Sequence, residues 1–346
     1  MSMNSSDGPD DRPRSTDKGG RTDETTTGTE PDVLVLRQGT HGVPVEQYAG
    51  ALRDRLPDHT VSLARTPAAE REAIRSAAFV TGMMLDSDLL ERADDLDVFA
   101  CAYAGTGHLP LDELSERGVT VTNASGVHGP NIAEHVLGAI LGFTRRFHVG
   151  ARRQRRREWR HYKAHELQGS TVTVVGLGAI GQAVCDRLDP FGVETIGVRY
   201  SPEKGGPTDE VVGFEGDAFD DALARTDYLV LACPLTETTR GLIDTEELVT
   251  LDPEAVLVNI ARGPVVDTDA LVSALRSGAI RGASLDVTDP EPLPEDHPLW
   301  TFENVQLTPH NAGHTPAYYD RLADIVAENV RRYTAGRDEL VNQVSL

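Results

Sequence analysis

Arg262, Glu291 and His310 supply a cation, a carboxylate and an imidazole, each a few residues beyond an apolar segment in the second half of the chain. Together they suit the reduction of a 2-keto acid, which needs a cation for the carboxylate and carbonyl and an acid to protonate the forming alkoxide. Arg262 and His310 meet those needs. A carboxylate beside the imidazole fixes its tautomer and favours the proton-donating form, and Glu291 is the candidate for that place. Each residue also has a plainer reading: a surface ion pair for Arg262, a loop residue between Pro290 and Pro292 for Glu291, a structural ring for His310. The histidine pairs His161/His165 and His310/His314 have the spacing of metal ligands but lack a third ligand of recognised spacing, so no metal site is expected.

A second constellation lies upstream. Thr171 to Val175 reads as a strand, Gly176-Leu177-Gly178-Ala179-Ile180-Gly181 as a turn, and a helix then leads to a second strand, Glu194 to Val198, that ends on Arg199. Gly176 permits the tight turn, Gly178 lets backbone approach a pyrophosphate, and Gly181 lets helix pack on strand. The helix starting near Ala179 turns its free N–H groups and positive dipole end toward the phosphates. An NAD site places an acid where this chain has Arg199, whereas a guanidinium there suits a 2′-phosphate. Tyr200, Ser201 and Lys204 add a ring, a hydroxyl and a second cation. NADP(H) is therefore the expected cofactor, with NAD(H) second; stacking of Arg199 on adenine is the alternative that needs no phosphate.

The elements that must position these residues alternate. Strand-like segments are Val33 to Leu36, Val61 to Leu63, Ala78 to Thr81, Val98 to Ala102 and Val119 to Thr122, with helical patterns at Val45 to Leu56 and Glu70 to Ala77. A long helix is expected from about Ile132 to Arg146. Beyond the nucleotide unit come strands at Tyr228 to Ala232, Val256 to Asn259, Gly282 to Asp286 and Val305 to Leu307, then an amphipathic helix, Ala317 to Tyr333. Such alternation indicates doubly wound parallel sheets, with the chemistry at the carboxyl ends of the strands.

Composition narrows the setting. The chain has 346 residues, enough for two domains, and its formal net charge of −22 repels nucleic acid and anionic membranes. Its basic residues are arginines apart from Lys18, Lys163 and Lys204. Molar salt would screen the acidic surface, which points to a salt-loaded cytoplasm such as that of a haloarchaeon. The basic run Arg152 to Arg157 with Trp159 to Lys163 reads as a solvated arm that pairs with acidic surface on its own or a neighbouring subunit. Residues 1 to 30 carry almost no apolar side chain and read as a disordered polar tail. No apolar stretch approaches the ~20 residues of a membrane span, and no basic-then-apolar signal leads the chain. Cys101, Cys185 and Cys233 read as reduced core thiols.

From about Val33 to Val344 the chain resembles the D-isomer-specific 2-hydroxyacid dehydrogenases, among them glyoxylate/hydroxypyruvate reductases and phosphoglycerate dehydrogenases. The segments that carry the likeness are Asn131 to Leu137, Val175 to Gly181, Cys233-Pro234-Leu235-Thr236, Asn259 to Asp267, Leu285 to Pro292 and Leu307 to Gly313. The resemblance implies two Rossmann-like or flavodoxin-like parallel-sheet domains: a dinucleotide domain, 131–313, inserted into a discontinuous substrate domain, 31–130 plus 314–346. It implies a homodimer, Arg262 on substrate, His310 as acid/base and Glu291 as its partner. It places the substrate carboxylate on the backbone N–H groups of Ala104 and Gly105, flanked by Tyr103. Further cofactor contacts are implied at Cys233, Pro234, Thr239, Ile260, Ala261, Asp286, Ala312 and Gly313. Where the family usually reads Gly-x-Asp this chain has Gly105-Thr106-Gly107, and Asn311 follows the histidine in place of a small or apolar residue. The expected activity is reduction of glyoxylate, hydroxypyruvate or a similar small 2-keto acid, in the cytoplasm. An NAD-dependent phosphoglycerate dehydrogenase-like enzyme is one alternative, and a dinucleotide-sensing corepressor-like protein is another.

Overall fold

The computed structural model describes residues 32–40, 42–214, 216–337 and 339–346; the tail expected over 1 to 30 lies outside them. Two parallel sheets organise the chain. The first contains β1 (Val33–Val35), β2 (Val61–Leu63), β3 (Phe79–Gly82), β4 (Val98–Cys101) and β5 (Thr120–Thr122), in the order β2-β1-β3-β4-β5. The second contains β6 (Thr171–Val175), β7 (Glu194–Val198), β8 (Glu210–Val212), β9 (Tyr228–Leu231), β10 (Val256–Asn259), β11 (Gly282–Leu285) and β12 (Val305–Leu307), in the order β12-β11-β10-β9-β6-β7-β8. The inner strands read Val-Thr-Val-Val, Tyr-Leu-Val-Leu and Val-Leu-Val-Asn because both faces of this sheet are covered, so polar alternation has no place.

The chain runs outward from β6 to β8, then returns to lay β9 against the other side of β6. That reversal opens a crevice beyond the carboxyl ends of β6 and β9, where doubly wound sheets bind ligands. Loops after β6, β7, β9, β10, β11 and β12 all leave from the same rim, because the strands are parallel.

The helix Gly129–Thr144 follows β5 but packs on the second sheet through Ile132, Ala133, Val136 and Ile140. Beyond β12 the chain returns to the first sheet. The helix Tyr318–Thr334 buries Tyr319, Leu322, Val326 and Val330 against Val33, Val35, Tyr48 and Leu52, and Val344 N donates to Val121 O. Among the described residues no helix is long and apolar enough to cross a membrane.

Several elements differ from expectation. Pro130, whose missing N–H costs nothing in a first turn, starts the long helix at Gly129 and not at Ile132. The helix expected from Glu70 starts at Pro67, capped where Thr66 Oγ1 accepts from Ala69 N at 3.1 Å, and its end tightens into a 3₁₀ turn, Ile74–Ser76. The short edge strand β8 has no clear signal in its Glu-Val-Val sequence. Part of the basic arm is the helix Phe147–Arg155, and Arg153 holds the segment after it by donating to Arg160 O and His161 O at 2.7 and 2.6 Å. All three cysteines are buried and free, and burial pushes the thiols of Cys185 and Cys233 up to about 12 and about 11. They stay neutral at physiological pH and supply no nucleophile.

Candidate active site

At the carboxyl end of β12 the chain turns through Thr308-Pro309-His310, and His310 sits at φ 52°, a left-handed conformation that favours glycine. Such a backbone persists where its surroundings over-determine it. Asp286, just past β11, does this. Its carbonyl accepts from His310 N at 2.8 Å, and its buried carboxylate accepts from Asn311 N at 2.8 Å, Ala312 N at 2.9 Å and Thr308 Oγ1 at 2.5 Å. His135 Nε2 stands 3.4 Å from Thr308 Oγ1. The ring of His310 thus projects from a clamped loop, and its Nδ1 lies 2.7 Å from Glu291 Oε1. A carboxylate only accepts, so Nδ1 carries the proton and Nε2 is the atom left for exchange with a substrate.

Arg262 leaves the same rim two loops away. Asn259 at the end of β10 shapes its turn: Oδ1 accepts from Ala261 N at 3.0 Å and Nδ2 donates to Arg262 O at 3.1 Å. A Cβ on Gly263 would lie 1.9 Å from Thr288 O, so only glycine lets the Arg262 loop seat against the loop that carries Glu291. Thr268 Oγ1 adds a bond to Asp289 O at 3.1 Å. The guanidinium is exposed, with Nη1 donating to Ala261 O at 2.6 Å. A cavity of about 650 Å³ opens beside the histidine, lined by Asp286, Glu291, Leu293, Trp300, Leu307 and His310 among others.

The turn after β6 has the shape of a phosphate cradle. Gly176 takes φ 99°, and a Cβ there would lie 2.7 Å from Cys233 Cα, so the absence of a side chain lets the turn close against the end of β9. A Cβ on Gly181 would meet Gly176 O at 2.0 Å, whereas the one on Gly178 would project into open space. The helix Ala179–Leu188 starts at this cradle, with Ile180 in its first turn. A cavity of about 490 Å³ joins Gly176, Gly178, Cys233 and Pro234 to Arg199, Tyr200, Ser201 and Lys204. Arg199 Nη1 donates to Gly205 O at 2.6 Å, which fixes the guanidinium in that wall. The residues present therefore fit a dinucleotide: a glycine turn under a helix start at one end of the cavity, Tyr200 and Ser201 with two cations at the other.

The remaining residues are placed unevenly. Thr239 is in the cofactor cavity wall, but its hydroxyl donates to Pro234 O at 2.6 Å and accepts from Thr236 N at 2.8 Å, so it shapes the loop. Asp286 lines the histidine cavity, and its carboxylate also positions the His310 loop. Ile260, Ala261 and Ala312 are buried behind the rim and, with Gly313, line neither cavity. Tyr103, Ala104 and Gly105 follow β4 on the first sheet and also line neither. Asn123 Nδ2 donates to Ala104 O at 2.8 Å and so shapes that loop, while Gly105 is open on its Cβ side.

Sequence reasoning missed a tie between the two sheets. Arg321 Nη1 donates to Asn131 Oδ1 at 3.0 Å, and Asn131 Nδ2 donates to Ala312 O at 2.7 Å, which links the C-terminal helix to the His310 loop. Asn131 stands in one of the quoted segments, so its position was visible and its partner was not. Phe214 and Thr238, which line the cofactor cavity, carried no signal.

Comparison with known proteins identifies the family of this fold. Residues 137–312 match the family model described as D-isomer specific 2-hydroxyacid dehydrogenase, NAD binding domain. A glyoxylate reductase of Thermofilum pendens is 39% identical over 254 residues, 71% of this chain and 74% of that protein. A D-3-phosphoglycerate dehydrogenase of Mycobacterium leprae is 38% identical over 282 residues, 81% of this chain; the chain spans about half of that protein's length, at 52%. The crystal structure of a D-isomer specific 2-hydroxyacid dehydrogenase from Xanthobacter autotrophicus, in complex with NADPH and MES, superposes with a TM-score of 0.72 at 30% identity, covering 91% of this chain and 98% of that one.

Proposed function

Because this chain belongs to the D-isomer specific 2-hydroxyacid dehydrogenase family, we propose that it is an NADP(H)-preferring reductase of 2-keto acids that forms D-2-hydroxy acids. The observation that carries the reading is the 2.7 Å contact between His310 Nδ1 and Glu291 Oε1, on the rim that also bears the glycine cradle. Glu291 holds the imidazole, His310 gives its proton from Nε2 to the substrate oxygen, and Arg262 supplies fixed positive charge to the carboxylate and the developing oxyanion. The nicotinamide, when bound, supplies the hydride, so that a 2-keto acid, NADPH and a proton give the 2-hydroxy acid and NADP⁺. Gly176, Gly178, Ala179, Ile180 and Gly181 would hold the pyrophosphate, Arg199, Ser201 and Lys204 the 2′-phosphate, and Tyr200 the adenine. The wall of Cys233, Pro234 and Thr239, with Ile260, Ala261, Asp286, Ala312 and Gly313 along the rim, would complete the cofactor site.

Residues 131–313 act in this reading as the dinucleotide domain, and 31–130 with 314–346 as the substrate domain, whose Ala104 and Gly105 N–H groups take the substrate carboxylate beside Tyr103. The packing of the helix Tyr318–Thr334 on the first sheet supports that division. Catalytic efficiency with NADPH is expected to exceed that with NADH by tenfold or more. Arg199→Glu should reverse the order, since each charge-assisted hydrogen bond to a phosphate is worth roughly 1.5–3 kcal/mol. A tenfold preference of the unaltered chain for NADH would overturn the cofactor assignment. The same assay should gain activity toward molar salt, as the −22 charge requires screening; full activity after desalting would count against a salt-adapted origin.

The acidic chain carries one basic arm, and that arm exposes Trp159 fully and Phe147 by 61% around a cavity of about 740 Å³ between Arg145, Arg153, Arg157 and Tyr162. Large apolar side chains exposed amid cations suit an acidic partner surface, and we assign this face to a homodimer. Light scattering should give about twice the 37.4 kDa chain mass; a monomer at micromolar concentration would remove the assignment.

A further inference from the structure

We propose that the cavity beside His310 receives the side chain of the substrate and selects 2-keto acids with an uncharged, apolar side chain over phosphorylated or dicarboxylic ones. This rests on the reductase reading and adds the substrate class. The cavity, about 650 Å³, has the His310–Glu291 pair in one wall and Pro292, Leu293, Trp300 and Leu307 in the others. Its volume exceeds what a methyl or hydroxymethyl group needs. Trp300 Nε1 donates to Pro294 O at 2.9 Å, so the polar atom of the indole is engaged and what it offers is ring. Trp300 as a residue is 55% exposed, which leaves apolar surface that a ligand would cover. Leu293 and Leu307 lean on the buried core of the second sheet, which holds this wall in place.

Charge points the same way. Asp286 and Glu291 are the ionisable groups beside His310 in the lining, and no lysine or arginine is among the described residues there. The whole stretch from Gly282 to Asp320 contains no lysine or arginine, while Asp289, Glu295, Asp296 and Glu303 add negative charge to it. A phosphate would bring about −2 into an acidic rim that has no cation to pair with it. Arg262 is outside this lining, which leaves it to the carboxylate end. Each methylene buried against the apolar wall is worth about fourfold in binding.

The test is steady-state reduction by the full chain, with NADPH and with NADH, of pyruvate, 2-oxobutyrate, 4-methyl-2-oxopentanoate, oxaloacetate and 3-phosphohydroxypyruvate. kcat/KM is expected to rise about fourfold per added methylene from pyruvate, reaching more than tenfold for 4-methyl-2-oxopentanoate. It should fall at least tenfold below pyruvate for the two substrates with charged side chains. Trp300→Ala should shrink the advantage of 4-methyl-2-oxopentanoate over pyruvate at least fivefold, through KM. Leu293→Arg should raise 3-phosphohydroxypyruvate relative to pyruvate, a gain that misfolding cannot mimic. Highest efficiency with either charged substrate, or ratios unmoved by both variants, sinks this proposal alone. No reduction of any substrate with either cofactor sinks the reductase reading and this proposal with it.

Discussion

Replacing His310 with alanine is expected to lower kcat for 2-keto acid reduction by about 10²–10⁴-fold, the usual contribution of a positioned general acid. The affinity for NADPH should be nearly unchanged, because the glycine cradle and Arg199 belong to loops after β6 and β7 whereas His310 follows β12. Fluorescence titration of the cofactor and single-turnover reduction separate the two effects. Glu291→Gln should fall between wild type and His310→Ala, since an amide oxygen still accepts from Nδ1 but makes a weaker hydrogen bond than a carboxylate. A His310→Ala enzyme that turns over at the wild-type rate removes the residue from the mechanism.

The second large effect is expected at a residue that need not touch substrate. Asp286→Ala deletes the carboxylate that accepts from Asn311 N, Ala312 N and Thr308 Oγ1. It leaves two backbone donors without this partner, one of them on buried Ala312, at a cost of roughly 1–3 kcal/mol for each that stays buried and unpaired. The same bonds hold His310 at φ 52°, so their loss frees the loop to leave the left-handed conformation. The expected result is a stability loss of about 1–3 kcal/mol in urea together with a fall in kcat of tenfold or more. Asp286→Asn, which keeps one acceptor, should lose less of both. An Asp286→Ala protein with an unshifted urea midpoint and wild-type kcat would show that the loop is held by something else.

These two residues were not equally legible. His310 and Glu291 could be picked out because their chemical types match a reaction and because each follows a strand-like segment. Asp286 was visible as a strand-end acid, but its bonds with Asn311, Ala312 and Thr308 were not. Which groups stand across a loop from a carboxylate depends on strand order, and strand order is not a local property. Asn131 and Arg321 make the same point: they stand far apart in the chain, and only the return of the C-terminal helix to the first sheet brings them to 3.0 Å. Element ends shifted where local chemistry, such as Pro130 or the Thr66 cap, outweighed periodicity.

The sequence by itself determined the alternation of apolar strands and helices, the family, the glycine turn with its arginine, and the chemical types available for catalysis. These are set by side-chain chemistry and by spacing along the chain, which the order of residues records directly. The tertiary structure decided the direction of the return from β8 to β9, the rim on which the loops converge, the clamp that holds His310, and the acid-lined apolar cavity beside it. Those depend on which segments become neighbours once two sheets and their covering helices bury their apolar faces, a condition satisfied by the whole chain at once.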